Sequence, residues 1–355
     1  MSQHMMKAVV FDHHGGTEVL GLREIPVPTP GPNDALVRIK AAGFNFNDVW
    51  GRRGLPGMDF HLPHISGSDA SGVVVAVGSE VRTVKPGDEV IANGAFACHQ
   101  CPACLRGDLF VCRDFRIWGF QTGPLQGAQA QYGVVPAAEL LPKPPNLSFA
   151  EAASLPLCLV TAWRMLVVRA RIQPGDFVLI WGGAGGLGTM AIQICNLFGA
   201  RAIAVVASEE KAEHCRKLGA EFVLNRKTQR LIREIQRITD KRGVDVVFEH
   251  VGQSTWETSS MALRWGGTIV ICGATSGFTG TIDFRFLWNK QQNYLGSHYG
   301  TTAELEQAMR FVASGKIRPV LHTTLPLAEV AKAHELLEAD AVMGKVVLVP
   351  PEDGA

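Results

Sequence analysis

The sequence has no excess of charge of one sign and no apolar run that approaches the length of a membrane span. Its 355 residues carry 34 Lys and Arg against 33 Asp and Glu, which gives a formal net charge of +1. This balance argues against nucleic acid or a membrane as the main partner. The chain does not open with a basic segment followed by an apolar stretch, so we expect a cytoplasmic location. Its length is sufficient for two domains.

Glycine is abundant in one short motif, FVLIWGGAGGLGTMAIQIC, at residues 177–195. The motif passes from a short apolar strand through a G-x-G-x-x-G pattern into an apolar helix. Glycine is needed there for a tight turn, for close approach of backbone N–H groups to a pyrophosphate, and for close packing of the helix on the strand. The residues predicted to hold a dinucleotide here are Gly183, Gly185, Gly186, Leu187 and Gly188.

Strand-like and helix-like segments alternate after this turn at the spacing of βαβ units. The predicted strands are 201–206, 222–224, 244–248, 268–272 and 294–298, and the predicted helices are 209–218, 230–239 and 256–264. This order predicts an α/β domain with a doubly wound parallel sheet. The part of the chain before the turn is mainly β, with strands predicted at 7–11, 35–41, 71–77 and 89–92.

The end of the second predicted strand bears on the choice between NAD and NADP. A carboxylate at this place accepts the ribose 2′-OH and repels a 2′-phosphate. Here Ser208 stands where the acid is expected, and Lys211 and Arg226 are near enough in sequence to meet a phosphate. We therefore favour NADPH as the cofactor. The alternative is that both basic residues are ordinary solvated charges, and the adjacent Glu209 and Glu210 weaken the preference.

Four of the eight cysteines form the pattern C-x2-C-x2-C-x7-C. Four thiolates on one loop complete a tetrahedral zinc shell with no open position, which is typical of a structural site. A disulfide pair is the alternative, but it fits poorly with a cytosolic protein. We expect His99, inside the loop, to face solvent rather than to ligate. One structural Zn²⁺ per chain is predicted, with the ligands Cys98, Cys101, Cys104 and Cys112.

Taken together, these motifs resemble the medium-chain dehydrogenase/reductase superfamily. The similarity runs through GSDASGVVVAVG, KPGDEV, the four-cysteine loop, the glycine turn and the closing GKVVL. It implies a β-rich, GroES-like catalytic domain made from both chain ends, with a Rossmann nucleotide domain between them. The implied domains are 1–155, 156–298 and 299–355, the last returning to the catalytic domain. The resemblance also implies a homodimer formed by sheet extension near 294–298.

The alcohol dehydrogenase branch of this superfamily uses a catalytic zinc held by Cys, His and Cys. The matching places here carry Asn45, Ser68 and Leu157, none of which is a suitable zinc ligand in this setting. Cys158 is one residue from the third place, so a shifted alignment restores one ligand but not three. We therefore expect no zinc-polarised alcohol oxidation. Hydride transfer then needs a substrate that is already electrophilic, such as a C=C bond conjugated to a carbonyl.

A narrower similarity points to the same chemistry. RIWGFQT, VVFEHVG, GATSGF, DFRFLW and GSHYG resemble the crotonyl-CoA reductase/carboxylase and acryloyl-CoA reductase group. Its carboxylating members hold carbon dioxide with an Asn, a Phe, a Glu and a His, which fall here on Asn47, Phe120, Gln121 and His298. Gln121 replaces the carboxylate, and the carboxylating members lack the four-cysteine loop, so plain reduction is favoured. The predicted catalytic residues are Asn45, Asn47, Phe120, Gln121 and His298.

Each predicted catalytic residue also has a structural interpretation. Asn45 and Asn47 suit the cap of a helix beginning near Asp48, since Asn is a common cap residue. Phe120 and His298 suit the core, and Gln121 suits a hydrogen bond to backbone. By the resemblance, Thr161 packs on the nicotinamide and the loop of Gly273, Ala274 and Thr275 lies under its ribose, with plain coil packing as the alternative for the loop.

The expected function is the NADPH-dependent reduction of an activated C=C bond, with a short-chain 2-enoyl-CoA as the substrate. The CoA part rests on the resemblance alone. Two alternatives stay open: a zinc-independent quinone or enone oxidoreductase of the same fold, and a non-catalytic NADPH-binding protein.

Overall fold

The structure is a computed structural model that describes residues 4–352, and these divide into two compact units. The first unit contains the chain up to Leu157, the segment Thr301–Ala313 and the residues from Pro319 onward. The second unit contains Cys158–Gly300 and Ser314–Arg318. The sequence alone does not predict that Ser314–Arg318 groups with the second unit.

Strands occur along the whole described chain. They are β1 (Met5–Val10), β2 (Gly21–Pro26), β3 (Asp34–Gly43), β4 (Asp69–Val77), β5 (Glu89–Ala92), β6 (Ala95–Phe96), β7 (Arg116–Ile117), β8 (Tyr132–Pro136), β9 (Leu140–Pro142), β10 (Phe177–Ile180), β11 (Arg201–Val206), β12 (Phe222–Asn225), β13 (Val244–Glu249), β14 (Leu263–Ile271), β15 (Asn293–Gly296), β16 (Leu321–Pro326) and β17 (Lys345–Val349).

The helices are mostly short, and several connect consecutive strands. They are α1 (Phe46–Arg53), α2 (Pro102–Leu105), α3 (Phe149–Ala153), α4 (Pro156–Trp163), α5 (Gly186–Leu197), α6 (Glu209–Lys217), α7 (Leu231–Ile238), α8 (Trp256–Ala262), α9 (Phe284–Trp288), α10 (Thr302–Ala313) and α11 (Val330–Glu338).

The first unit is built on a sheet with the strand order β16-β17-β3-β4-β5-β9, in which β8 also pairs with β3. Its core takes residues from both ends of the chain, because Val37 and Ile39 of β3 pack in one cluster with Val346 and Leu348 of β17. The last strand of the chain is therefore part of the same sheet as the early strands.

The second unit contains a six-stranded sheet in the order β12-β11-β10-β13-β14-β15, and every neighbouring pair is parallel. Numbered within the unit, this is the 3-2-1-4-5-6 order of a dinucleotide-binding fold. All four residues of β10 and all six of β13 are buried, as expected for central strands covered on both faces. The predicted doubly wound sheet is confirmed.

Two predicted boundaries are wrong at the far side of this sheet. The helix predicted to reach residue 264 ends at Ala262, because Leu263 already pairs with Val244 as the start of β14. The strand predicted over 294–298 ends at Gly296, so His298 follows the strand rather than closing it. Both boundaries are set by pairing with a distant strand, which local pattern does not reveal.

None of the helices within residues 4–352 has both the length and the apolar composition that a membrane span requires. The cytoplasmic location stays a prediction.

His334 of α11 is completely buried, and neither of its ring nitrogens has a hydrogen-bond partner among the described residues. Its ring packs edge-on against Phe44 at 4.7 Å. Burial, followed by the nearby Arg52 and Arg53, lowers the pKa of His334 to about 3. An unfolded histidine titrates near pH ~6.5, so only the unfolded chain takes up this proton between about pH 6.5 and 3. Stability is therefore lost as the pH falls through this window.

We expect His334→Phe to remove this loss. The free energy of unfolding of the variant minus that of wild type should be about 2 kcal/mol larger at pH 5 than at pH 8. Urea unfolding at the two pH values measures the difference, with the exposed His322→Phe as the control. If the difference in free energy of unfolding between His334→Phe and wild type were the same at both pH values, the prediction would be contradicted.

Candidate functional site

The glycine turn of the second unit connects β10 to α5. A Cβ atom on Gly183 would lie 2.8 Å from the Ala204 Cβ, and one on Gly188 would lie 2.3 Å from the Gly182 carbonyl oxygen. These two glycines therefore permit close packing of turn, helix and strand. Gly185 is the N-cap of α5, and the nearest atom to its Cβ position is 3.4 Å away. The middle glycine thus keeps the space at the helix N-terminus open, where backbone N–H groups favour an anion.

Trp181, the first residue of this turn, is held at both its backbone and its side chain. The His250 Nε2 lies 2.9 Å from the Trp181 carbonyl oxygen, and burial lowers the pKa of His250, so the neutral ring donates this bond. The Trp181 indole N–H donates to the Ser259 hydroxyl at 2.8 Å, which donates to Glu249 at 2.6 Å. Sequence reasoning missed Glu249 and Ser259. The signal was a carboxylate at the end of an otherwise apolar strand, VDVVFE.

Ser208 and the backbones of Lys211 and Arg226 lie at the carboxyl end of β11. Ser208 is the N-cap of α6, and its hydroxyl accepts from the Lys211 backbone N–H at 3.3 Å. The Arg226 backbone N–H donates to the Val206 carbonyl at 2.9 Å, which places Arg226 beside the last residue of β11. Glu209 is paired with Arg216 at 2.7 Å, so one of the two neighbouring acids is already neutralised locally. The roles of Ser208, Lys211 and Arg226 in cofactor binding stay predictions.

The loop after β14 lies against the segment after β13. The Thr275 backbone N–H donates to the His250 carbonyl at 3.4 Å, and a Cβ on Gly252 would meet the Ala274 Cα at 2.9 Å. Gly273, Ala274 and Thr275 are thus at the carboxyl ends of adjacent parallel strands, where ligands of this fold bind. Thr161 is buried in α4.

His298 follows β15, next to Ser297, whose N–H donates to the Ile271 carbonyl at 2.8 Å. The His298 side chain is exposed, although neighbouring protein and the Arg164 cation lower its pKa. It is therefore a neutral ring near the carboxyl ends of β14 and β15, and the core interpretation does not fit its exposure.

In the first unit, Asn45 is part of a buried charged cluster. It is the N-cap of α1, which begins at Phe46, and its N–H donates to Asp48 at 2.7 Å. The Asn45 side-chain amide donates to Asp69 at 2.8 Å, and its oxygen accepts from the Lys345 ammonium at 2.5 Å. Lys345 also donates to Asp69 at 3.3 Å and to the Phe44 carbonyl at 2.8 Å. Both ends of the Asn45 amide are thus used structurally, which favours the capping interpretation.

Two of the three places that match catalytic zinc ligands, Asn45 and Leu157, are hydrogen-bonded to Asp69. The Leu157 backbone N–H donates to Asp69 at 2.7 Å. Ser68, which precedes Asp69 in sequence, donates its hydroxyl hydrogen to the Trp118 carbonyl at 2.7 Å. Burial raises the pKa of Asp69, and Lys345 opposes this rise. The polar groups of all three places are engaged in hydrogen bonds within the unit. Lys345, which sequence reasoning missed, is the cation of this cluster, and its signal was a lysine in the apolar strand KVVLV.

The remaining predicted catalytic residues lie elsewhere in the first unit. Phe120 is buried and packs edge-on against Phe60 at 5.3 Å. The Gln121 side-chain oxygen accepts from the Ile117 N–H at 3.0 Å, as the structural interpretation expects. Asn47 is half-buried in the first turn of α1. Their catalytic roles stay predictions.

The four-cysteine loop brings its sulfur atoms together. All four Sγ atoms lie within 4.8 Å of one another, with 3.5 Å between Cys101 and Cys104 and 3.5 Å between Cys98 and Cys112. These separations are too long for disulfides, and four sulfurs at ~2.3 Å from a central zinc would lie about 3.8 Å apart. Backbone N–H groups lower the pKa of Cys98 to about 6, whereas burial raises the pKa of Cys104 to about 12, so the case for zinc rests on the sulfur geometry. The residues present therefore fit a tetrahedral zinc.

His99 is exposed, as predicted, and it also has a protein partner that the sequence does not reveal. Its Nε2 lies 2.6 Å from the Glu139 carboxylate, so the ring is partnered by protein rather than facing only solvent. It is not one of the clustered ligands.

Comparison with known proteins decides the family. Residues 186–314 match the family described as zinc-binding dehydrogenase, and residues 31–145 match the alcohol dehydrogenase GroES-like domain. The chain is 37% identical to the crotonyl-CoA reductase of Streptomyces collinus, over 94% of this chain and 82% of that protein. The chain belongs to the medium-chain dehydrogenase/reductase superfamily. It is therefore an oxidoreductase, and the predicted superfamily is confirmed.

Solved structures of the superfamily share this fold. One described as an NAD-dependent alcohol dehydrogenase is 43% identical, with a TM-score of 0.92 over 97% of this chain and 99% of that one. The 2-octenoyl-CoA carboxylase reductase CinF, in complex with NADP and 2-octenoyl-CoA, is 35% identical, with a TM-score of 0.90 over 100% of this chain and 90% of that one. These likenesses confirm the combination of a GroES-like unit and a Rossmann-type unit.

Proposed function

We propose that this protein reduces the activated C=C bond of a short-chain 2-enoyl-CoA with NADPH, without a catalytic zinc. The observation that carries the proposal is the substitution of all three metal-ligand places by Asn45, Ser68 and Leu157, whose polar atoms are engaged in hydrogen bonds. The names of the crotonyl-CoA reductase and of CinF support the enoyl-CoA class.

NADPH supplies a hydride when it is bound. The substrate β-carbon accepts it, negative charge develops on the thioester oxygen, and the α-carbon then takes up a proton. This acceptor is already electrophilic, so the chain has only to orient it and offer hydrogen-bond donors to the oxygen. Asn47, Phe120, Gln121 and His298 remain candidates for these tasks.

The preference for NADPH over NADH rests on the end of β11. Ser208 cannot repel a 2′-phosphate, and the side chains of Lys211 and Arg226 are proposed to supply positive charge, since their backbones lie beside Ser208 and Val206. One similar structure is named for NAD, so the preference needs a direct comparison of the two cofactors. The open N-terminus of α5 provides the donors for the pyrophosphate, and Thr161 and Gly273–Thr275 are proposed at the nicotinamide end.

The test is a steady-state assay with NADPH and NADH against crotonyl-CoA, acryloyl-CoA and a simple quinone, with and without bicarbonate. A parallel assay uses a primary alcohol with NADP⁺. We expect turnover with the enoyl thioesters and NADPH, and no carboxylated product, because Gln121 replaces a carboxylate. Turnover with quinone alone would favour the quinone reductase alternative, and cofactor binding without any turnover would favour a non-catalytic protein. Alcohol oxidation would overturn the zinc-independent mechanism.

The four-cysteine loop is proposed to bind one structural Zn²⁺ per chain. Its four thiolates leave no open position, so the ion would stabilise the loop and take no part in hydride transfer.

A homodimer is proposed through the edge of the second unit's sheet. β15 is the last strand of that sheet. Trp265 in the neighbouring strand β14 is 63% exposed, and Phe284 and Trp288, which precede β15 in sequence, are 73% and 71% exposed. We expect wild type to be dimeric and the Phe284→Asp/Trp288→Asp variant to be monomeric, as measured by light scattering after size exclusion. Leu22→Asp in β2, also exposed, should remain dimeric. A monomeric wild type would refute the proposal.

A further inference from the structure

His99 stands between two of the clustered cysteines in an unusual backbone conformation. Its φ is 56°, in the left-handed region that a non-glycine residue rarely adopts. This conformation costs on the order of 1 kcal/mol unless other contacts support it. The side chain contributes one supporting contact, the 2.6 Å bond between the His99 Nε2 and the Glu139 Oε1.

Glu139 is a fixed anchor for this bond. Its side chain is fully buried, and its other oxygen accepts from the Thr302 hydroxyl at the start of α10. Asn93, which follows β5, donates its backbone N–H to the Glu139 carbonyl at 2.9 Å and its side-chain amide to Thr302 at 3.0 Å. The Glu139 backbone is thus held by the residue that follows β5, and its carboxylate is held by Thr302 of α10 and presents its other oxygen to the cysteine loop.

Glu139 bonds to the cysteine loop at the residue between two proposed zinc ligands, Cys98 and Cys101. His99 directly follows the ligand Cys98 and lies two residues before Cys101, whose N–H donates to the Cys98 sulfur at 3.3 Å. If the histidine moved, the backbone that aims these two sulfurs would move with it. Mutation of residues that hold metal ligands from outside the coordination shell typically lowers metal affinity about 10- to 100-fold.

We propose that Glu139, acting through His99, is a positioning residue for the four-cysteine site and slows the release of its metal. The inference rests on the proposed structural zinc. It assigns a role to two side chains that neither bind the ion nor belong to the cofactor site.

The test follows zinc release from the purified, zinc-loaded full chain into excess chromogenic chelator at pH 7.5. We expect Glu139→Gln and His99→Gly to release zinc about 10-fold faster than wild type or more. His99→Gly is chosen because glycine adopts the left-handed conformation freely, so the change removes the imidazole contact without straining the backbone. It also leaves the buried residues intact. Gln100→Ala, an exposed change in the same loop, should release zinc at the wild-type rate.

The double variant His99→Gly/Glu139→Gln separates this role from general loosening of the loop. If Glu139 acts through His99, the double variant releases zinc no faster than the faster single variant. Rates that multiply would overturn the inference, as would His99→Gly releasing at the wild-type rate. A wild-type protein that retains no zinc after dialysis would overturn the metal site itself, whereas one zinc per chain with unchanged release in both single variants would overturn only the role of Glu139.

Discussion

Lys345→Met is expected to lower the free energy of unfolding of the first unit by about 3–5 kcal/mol, the usual loss when one partner of a buried ion pair is removed. The Asp69 side chain is 0% exposed and that of Lys345 is 6% exposed. Methionine fills similar space but leaves Asp69 and the Asn45 oxygen without their cation. Urea unfolding followed by circular dichroism and tryptophan fluorescence measures the loss.

The pH dependence of this loss identifies its cause. Burial raises the pKa of Asp69 and of Asp48, and the Lys345 cation lowers both, so removing the cation raises both pKa values further. A carboxyl whose pKa is higher in the folded than in the unfolded chain favours folding at low pH, and this contribution is lost as the pH rises through the folded value. The deficit of Lys345→Met should therefore be larger at pH 8 than at pH 5. Lys332→Met, an exposed lysine on α11, is the control. A deficit below about 1 kcal/mol would show that the pair is not the buried charge pair described.

Gly185→Ala is expected to weaken NADPH binding about 10- to 100-fold while leaving stability almost unchanged. The Cβ of alanine fits the free protein, because its nearest neighbour is 3.4 Å away and the backbone at Gly185 is extended. The same methyl group occupies the space through which a pyrophosphate would approach the N–H groups of α5. Loss of charge-assisted hydrogen bonds of about 1.5–3 kcal/mol corresponds to this change in affinity. Fluorescence titration with NADPH and a thermal unfolding curve measure both quantities.

Two further glycine substitutions make this test specific. Gly188→Ala should lower stability as well as binding, because its Cβ would lie 2.3 Å from the Gly182 oxygen and 2.6 Å from the Gly183 Cα. Gly21→Ala in β2, whose nearest neighbour is 3.5 Å away, should change neither. If Gly185→Ala bound NADPH as tightly as wild type, the pyrophosphate would not lie at this turn.

The parts of the molecule that sequence predicts well are those with local causes. The strands 89–92 and 201–206 have the predicted bounds, because each is a short apolar run between turn residues. The glycine turn is likewise a local requirement for a residue without a side chain. The clustering of the four cysteines could be predicted from their spacing alone, since one loop carries all four sulfur atoms.

The parts that sequence does not predict depend on distant partners. Asn45 is a helix cap by local pattern, but its amide is fixed by Lys345, 300 positions along the chain. His99 looks like a solvated loop residue until the buried Glu139 is placed beside it. Local pattern cannot pair such residues, although a charged side chain in an apolar strand signals that a partner exists.

The shared sheet of the first unit has a consequence for synthesis on the ribosome. β3 pairs with β17, and Asp69 pairs with the ammonium of Lys345, so the first unit lacks β16, β17 and this counter-ion until residues 321–349 have emerged. The second unit is almost continuous in sequence and is complete once Arg318 has left the exit tunnel. The nucleotide-binding unit can therefore fold first during translation, whereas the β-rich unit can complete its sheet only after β17 has been synthesised.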